Sequence, residues 1–106
     1  MRVMLKSKLY GLKVTKINPD YAGSISISHK WMHDTNIIEY EQVHVLDITN
    51  GNRFITYAII GNDDEICVNG AAALLVNISD ELIILAYDIV DIYNEPKIIN
   101  ATRFIC

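Results

Sequence analysis

A small barrel of short β-strands is the fold class this sequence predicts, and three observations predict it. Segments that are β-branched, or that alternate with period two, recur along the whole chain. Turn chemistry stands between them at Asn18-Pro19-Asp20, Asn50-Gly51 and Asn69-Gly70. The length, 106 residues, is enough for one domain and too short for two. Closing such strands into a barrel removes their exposed edges. Periodicity alone does not say which barrel.

Taken in order, Val3–Val14 mixes apolar and basic residues and leads into the β-branched pair Val14-Thr15. After the Asn18-Pro19-Asp20 turn, Ser24–Ser28 alternates Ser and Ile, the pattern of a strand with one face inside. His29–Asn36 reads as one short helix, with Trp31 and Met32 in the core. Gln42–Thr49 is a strand with Val43 and Val45 on one face. Asn50-Gly51 closes a hairpin of the tight primed-turn type, and Arg53–Ile60 returns. Gly61-Asn62-Asp63-Asp64 is a turn, Ile66–Val68 a short strand, and Ala71–Leu75 a helical turn. Glu81–Val90 is a long apolar strand, and Ile98–Phe104 is expected to form a last edge strand.

Composition excludes some functions. Hydrophobic residues make up 51% and the formal net charge is −4. That balance argues against nucleic-acid binding, which needs a basic face. The rich apolar share favours a surface covered by another subunit. The longest apolar run, Leu82–Tyr87, is too short to cross a bilayer, and Lys6 and Lys8 interrupt the N-terminus, so no membrane partner and no secretory segment are expected. Cys67 and Cys106 have no metal spacing and form no disulfide framework. These features point to the cytoplasm. Residues 1–16 hold Arg2, Lys6, Lys8, Lys13 and Lys16 and no acid, so they form either a solvated basic face or a place where one lysine meets an anion. His29 and His33 lie four apart, but a zinc site needs a third ligand that the sequence does not offer, so no metal is expected. Glu39 and Glu41 read as solvent-facing charges.

Three places carry chemistry. Gly23-Ser24 is, on its own, ordinary turn chemistry opening a strand. Its sharper reading is a hydroxyl attacking the preceding carbonyl, which glycine leaves accessible and backbone strain would assist. Arg53, Ile55 and Tyr57 share one strand face, where Arg53 suits a carboxylate and Tyr57 a proton donor. Thr56 points the other way, and bringing it to the same pocket requires a bulge or a site shared between subunits. Asn69-Gly70-Ala71-Ala72-Ala73 offers small residues and exposed N–H groups to a ligand, or simply a packed turn.

These pieces, in this order, resemble one family. Met4-Leu5-Lys6-Ser7-Lys8-Leu9, Val14-Thr15, Tyr21-Ala22-Gly23-Ser24, Val45–Thr49 with Asn50-Gly51, Arg53-Phe54-Ile55-Thr56-Tyr57, Val68-Asn69-Gly70-Ala71-Ala72-Ala73 and Ile83-Ile84-Leu85-Ala86-Tyr87 are similar to the pyruvoyl-dependent aspartate 1-decarboxylases of bacteria, over roughly residues 2–90. The resemblance implies a six-stranded double-psi β-barrel with short helices, assembled as a homotetramer with sites between subunits. It implies a precursor that cuts itself into 1–23 and 24–106 and leaves a covalent pyruvoyl group, derived from Ser24, on the larger fragment. Through a Schiff base with that group, L-aspartate would become β-alanine, a precursor in pantothenate and coenzyme A supply.

By position, the resemblance assigns Ser24 and Tyr57 to catalysis, and Gly23, Ser24 and Thr56 to self-cleavage, with Thr56 polarising the Gly23 carbonyl. It assigns Lys8, Arg53, Asn69, Gly70, Ala71 and Ala72 to substrate binding, and sets Tyr21 beside the scissile bond. The chain departs from the family's pattern at Tyr10-Gly11, where His-Arg is common, at Leu74 after the three alanines, and at Asn18-Pro19-Asp20. Some family members use a separate maturation protein, and this sequence does not show whether one is needed. Two other classes compete: an unprocessed barrel serving as a binding or scaffolding subunit, and an N-terminal-serine hydrolase in which Ser24 persists after cleavage.

Overall fold

The computed structural model describes residues 1–104, and Cys106 lies outside them. Eight strands form one mixed sheet: β1 (Arg2–Lys13), β2 (Lys16–Asn18), β3 (Ser24–Ser28), β4 (Gln42–Asp47), β5 (Arg53–Gly61), β6 (Ile66–Asn69), β7 (Glu81–Val90) and β8 (Lys97–Asn100). One helix, α1 (His29–Thr35), follows β3, and 3-10 turns cover Gly70–Leu75 and Ala101–Phe104. The order across the sheet is β2-β6-β3-β5-β4-β7-β1-β8. The six strands from β6 to β1 make its body, and short β2 and β8 lie outside them. The sheet curls around one core without a ladder that joins its two ends, so it is a mainly β, barrel-like body of the predicted class.

The core follows from alternation. Val43 and Val45 on β4, Ile25 and Ile27 on β3, and Leu82, Ile84 and Ala86 on β7 point inward and are fully buried. Trp31 and Met32 of α1 close one side of this cluster, as the sequence predicts. Each such side chain contributes about 1.5–3 kcal/mol by leaving water. Asn36, left-handed at φ 56°, ends α1 by donating its N–H to the His33 carbonyl.

Two readings change in detail. The β4–β5 connection is a five-residue loop, 48–52, and not a two-residue primed turn. Gly51 is left-handed at φ 80°, but Asn50 is not, so the type I′ pair is absent. Instead Asp47 holds the loop: its Oδ1 accepts from the N–H groups of Thr49 (2.8 Å) and Asn50 (3.3 Å), and its carbonyl accepts from Gly51 (2.8 Å). The tail forms its edge strand only over β8, parallel to β1, before turning into a 3-10 turn.

β1 pairs with β7 through two register shifts, between Leu5 and Ser7 and between Leu9 and Leu12. The first turns Lys6 toward Glu41, where the two form an ion pair, and toward the Asn36 carbonyl, 2.7 Å from Lys6 Nζ. Glu41 is therefore engaged, not simply solvated. The second shift contains Gly11, at φ 76°, where an added Cβ would meet Asn100 Oδ1 at 2.3 Å. The Tyr10-Gly11 departure thus suits the packing of this chain's own tail.

Candidate active site

Because Ile25 and Ile27 of β3 face the core, Ser24, Ser26 and Ser28 lie on the opposite face. Ser24 is nevertheless only 1% exposed. β6 runs antiparallel beside it, with Asn69 directly opposite Ser24. Asn69 Nδ2 donates to Ser24 Oγ at 3.0 Å and to Ser26 Oγ at 3.1 Å. The Ser24 hydroxyl donates to the Ala22 carbonyl at 3.1 Å. Two residues before Asn69 on the same strand, the Cys67 thiol donates to Asn69 Oδ1 at 3.2 Å. Burial, reinforced by the Glu65 carboxylate, pushes the Cys67 thiol pKa up, so the proton stays on sulfur.

Gly70 follows with φ 74°. A Cβ there would lie 2.6 Å from Gly23 Cα, 2.9 Å from Gly23 N and 3.2 Å from the Tyr21 carbonyl oxygen. The position that must lack a side chain is therefore Gly70, since a Cβ on Gly23 would meet nothing within 4 Å. Beyond it, Ala71 is exposed, Ala72 half-buried, and Leu74 turns to solvent. The Tyr21 side chain is more than half exposed, so its backbone rather than its ring meets Gly70.

β5 lies parallel to β3 with Ile25 opposite Ala58. The ladder starts at that pair, so Tyr57 and Thr56 stand one and two residues before it on β5, as Ser24 and Gly23 do on β3. Pairing with β4 runs from Gln42/Tyr57 to Leu46/Arg53 without a shift. No bulge turns Thr56, so it faces away from Arg53 and Tyr57, and its hydroxyl takes no hydrogen-bond partner among the described residues. Tyr57 packs obliquely on Tyr40, ring centroids 6.1 Å apart.

The two expected carboxylate holders lie elsewhere on the same outward face. Arg53 is four residues from Tyr57, about 13 Å along the strand. Its Nη2 donates to His44 Nδ1 at 3.3 Å, and His44 packs edge-on against Tyr87. Lys8 sits two strands away from His44, both being registered with Leu85 of β7. Its Nζ is 5.8 Å from the Tyr10 ring centroid. Neither Lys8 nor Arg53 forms an ion pair among the described residues, whereas Lys6 does. One chain thus brings together Ser24, Gly23, Asn69 and Gly70, sets Tyr57 on the neighbouring strand just before its ladder with β3, and leaves Lys8 and Arg53 apart from them. Cys67, Ser26 and His44 are contacts that the sequence reading missed. Only for Cys67 and Ser26 was there a signal, since each stands two residues from a site residue on the same strand face.

Fold and site together define a small, mainly β, barrel-like protein with a buried, amide-held serine at the start of a strand. Residues 1–103 match the model of a family described as aspartate decarboxylase. The aspartate 1-decarboxylase of Clostridium botulinum (strain ATCC 19397 / Type A) is 51% identical over 86 residues, which cover 79% of this chain and 68% of that one. Those of Campylobacter curvus (strain 525.92) and Campylobacter concisus (strain 13826) are both 49% identical, over 82% and 79% of this chain and 76% and 73% of theirs. The chain belongs to the aspartate decarboxylase family.

Proposed function

We propose that this protein is a pyruvoyl-dependent decarboxylase that converts L-aspartate to β-alanine, after cutting itself between Gly23 and Ser24. The observation that carries the proposal is the buried Ser24 hydroxyl held by Asn69, beside a bond that Gly70 approaches within side-chain distance. Family membership supports the substrate.

Self-cleavage uses this chain's own atoms. Ser24 Oγ bonds to the Gly23 carbonyl carbon, the C–N bond breaks, and the hydroxyl proton ends on the freed amine. Thr56, on the neighbouring strand β5, would polarise that carbonyl. Loss of the Ser24 Cα proton then breaks the Cβ–Oγ bond, and residue 23 leaves as a carboxylate. The Asn69 donor at Oγ stabilises the charge that develops there. Water replaces nitrogen at Cα, ammonia leaves, and a ketone remains.

The surroundings of position 24 fit such a group. Ser24 itself is buried, Asn69 supplies a donor, and the missing Cβ at Gly70 leaves room. When formed, the pyruvoyl group supplies an electrophilic carbonyl for the substrate amine and a sink for the electrons that carbon dioxide leaves behind. Arg53, with its planar fork, holds the carboxylate that is kept, and Lys8 offers a point charge to the other. Tyr57 Oη delivers a proton to the carbon that loses carbon dioxide. Asn69 and the N–H groups of Gly70, Ala71 and Ala72 line the pocket.

Because Arg53 lies about 13 Å along β5 from Tyr57, and Lys8 lies on β1, four strands from β3 in the sheet order, the proposed site joins Ser24 of one subunit to Lys8 and Arg53 of the next, in a homotetramer. The outward face that carries both cations supports this. Ile55 on it is 57% exposed, and Leu46, Ile83 and Leu85 are only partly covered. The test is incubation of the purified, cleaved protein with L-aspartate. One β-alanine and one carbon dioxide per aspartate consumed are expected, and a cleaved protein that makes neither overturns the proposal.

A further inference from the structure

We infer that Cys67 is a positioning residue for self-cleavage, fixing through its thiol proton which way the Asn69 amide faces Ser24. The inference rests on the self-cleavage proposed above and goes beyond it, because Cys67 touches neither Ser24 nor the scissile bond.

The Asn69 side chain is 2% exposed and every polar position on it is engaged. Oδ1 accepts from Cys67 Sγ at 3.2 Å, and the two hydrogens of Nδ2 go to Ser24 Oγ and Ser26 Oγ. An amide can turn over and exchange its oxygen and nitrogen, and only its neighbours decide between the two orientations. The serine hydroxyls favour neither orientation strongly, since each can turn to donate or accept. Cys67 favours one, because sulfur accepts a hydrogen bond only weakly: an amide N–H turned toward Sγ would be poorly satisfied, whereas Oδ1 takes the thiol proton.

The orientation matters to the chemistry. With Nδ2 toward β3, Asn69 gives a hydrogen to Ser24 Oγ, both as the hydroxyl is held before attack and as Oγ leaves with residue 23. Turned over, Asn69 presents Oδ1 to Oγ. It would then draw the hydroxyl proton away from the Ala22 carbonyl and repel the negative charge that develops on the departing oxygen. Cys67 is 5% exposed and free of any disulfide among the described residues, so the contact is internal to β6 and β3.

The experiment follows self-cleavage of freshly made chain by gel and intact mass for the parent, Cys67→Ser, Cys67→Ala and Cys67→Val, with thermal midpoints measured alongside. Serine keeps a donor at this position. Alanine removes it with a small void, and valine removes it while filling the space, so failure of one to fold leaves the other to be read. Loss of one neutral hydrogen bond corresponds to cleavage about three- to tenfold slower in Cys67→Ala and Cys67→Val. Cys67→Ser keeps a donor for Oδ1 and is expected to cleave faster than Cys67→Ala and Cys67→Val, even where its midpoint is no higher than that of the alanine variant. Equal slowing in all three variants, or parental rates in Ala and Val, overturns the role of Cys67 while leaving self-cleavage intact. A parent chain that stays uncut overturns both.

Discussion

Gly70→Ala is the substitution whose consequence the structure fixes most closely. The new Cβ would stand 2.6 Å from Gly23 Cα and 2.9 Å from Gly23 N. An ordinary carbon contact needs roughly 3.5–4 Å, so the segment before Ser24 must retreat by about 1 Å. The obstacle is backbone and cannot rotate aside. A misplacement of that size at reacting atoms costs on the order of 100-fold in rate. Alanine at φ 74° adds about 1–2 kcal/mol of backbone strain. Gly51→Ala is the matched control, because Gly51 has φ 80° and open space where a Cβ would go. It carries the strain without the collision. The assay is the fraction of chain cut with time, together with denaturant midpoints. Gly70→Ala should cut about 100-fold more slowly than the parent, whereas Gly51→Ala should lose about 1 kcal/mol of stability and cut normally. Parental cleavage in folded Gly70→Ala would refute the reasoning.

Other outcomes follow from the same geometry. Ser24→Ala should fold, assemble and remain one fragment, and a split between residues 23 and 24 in that variant would remove Ser24 as the nucleophile. Cleaved Arg53→Ala should lose about 30-fold or more of its decarboxylation efficiency, because losing a charge-assisted contact costs roughly 2–5 kcal/mol. Its pyruvoyl carbonyl should still react with hydroxylamine, which separates binding from maturation. Asp47 is buried, and burial together with the facing Asp80 carboxyl raises its pKa above 3.8. The folded state therefore binds this proton more tightly than the unfolded chain. The group favours folding most below pH 3.8, and its contribution falls as pH rises through the folded pKa. Asp47→Asn keeps the Oδ1 acceptor and removes the buried charge, so it should gain about 1 kcal/mol at neutral pH. The gain should disappear in acid, as urea titrations at the two pH values will read. Sedimentation should give a tetramer, and an active monomer would contradict a site shared between subunits.

Most of the strand pattern was legible because period-two alternation is a local signal. Val43 and Val45, Ile25 and Ile27, and the run Glu81–Val90 declare their inward faces in the sequence itself. The Asn50-Gly51 turn was legible as a turn, but its type was not. Asp47, three residues upstream of Asn50, captures two loop N–H groups and lengthens the connection. The bulges in β1 were hidden because their partners lie far along the chain, on β7 and in the tail. In the site, residue identities came from resemblance and their grouping from the fold. Ser24 and Asn69 are 45 positions apart, and no local pattern joins them. The requirement for glycine at 70 has the same origin, since what it avoids is the backbone of residue 23. The separation of Arg53 and Lys8 from Ser24 was not legible, because alternation within β5 sets only Thr56 against Arg53 and Tyr57, and the order of β1 and β5 in the sheet appears only in the fold.

The intact mass of the larger fragment tests the central claim most directly. The account predicts two fragments, 1–23 and 24–106, with the larger one lighter by one ammonia than a chain beginning with serine. An uncut chain, or a cut chain that keeps its serine, would contradict it.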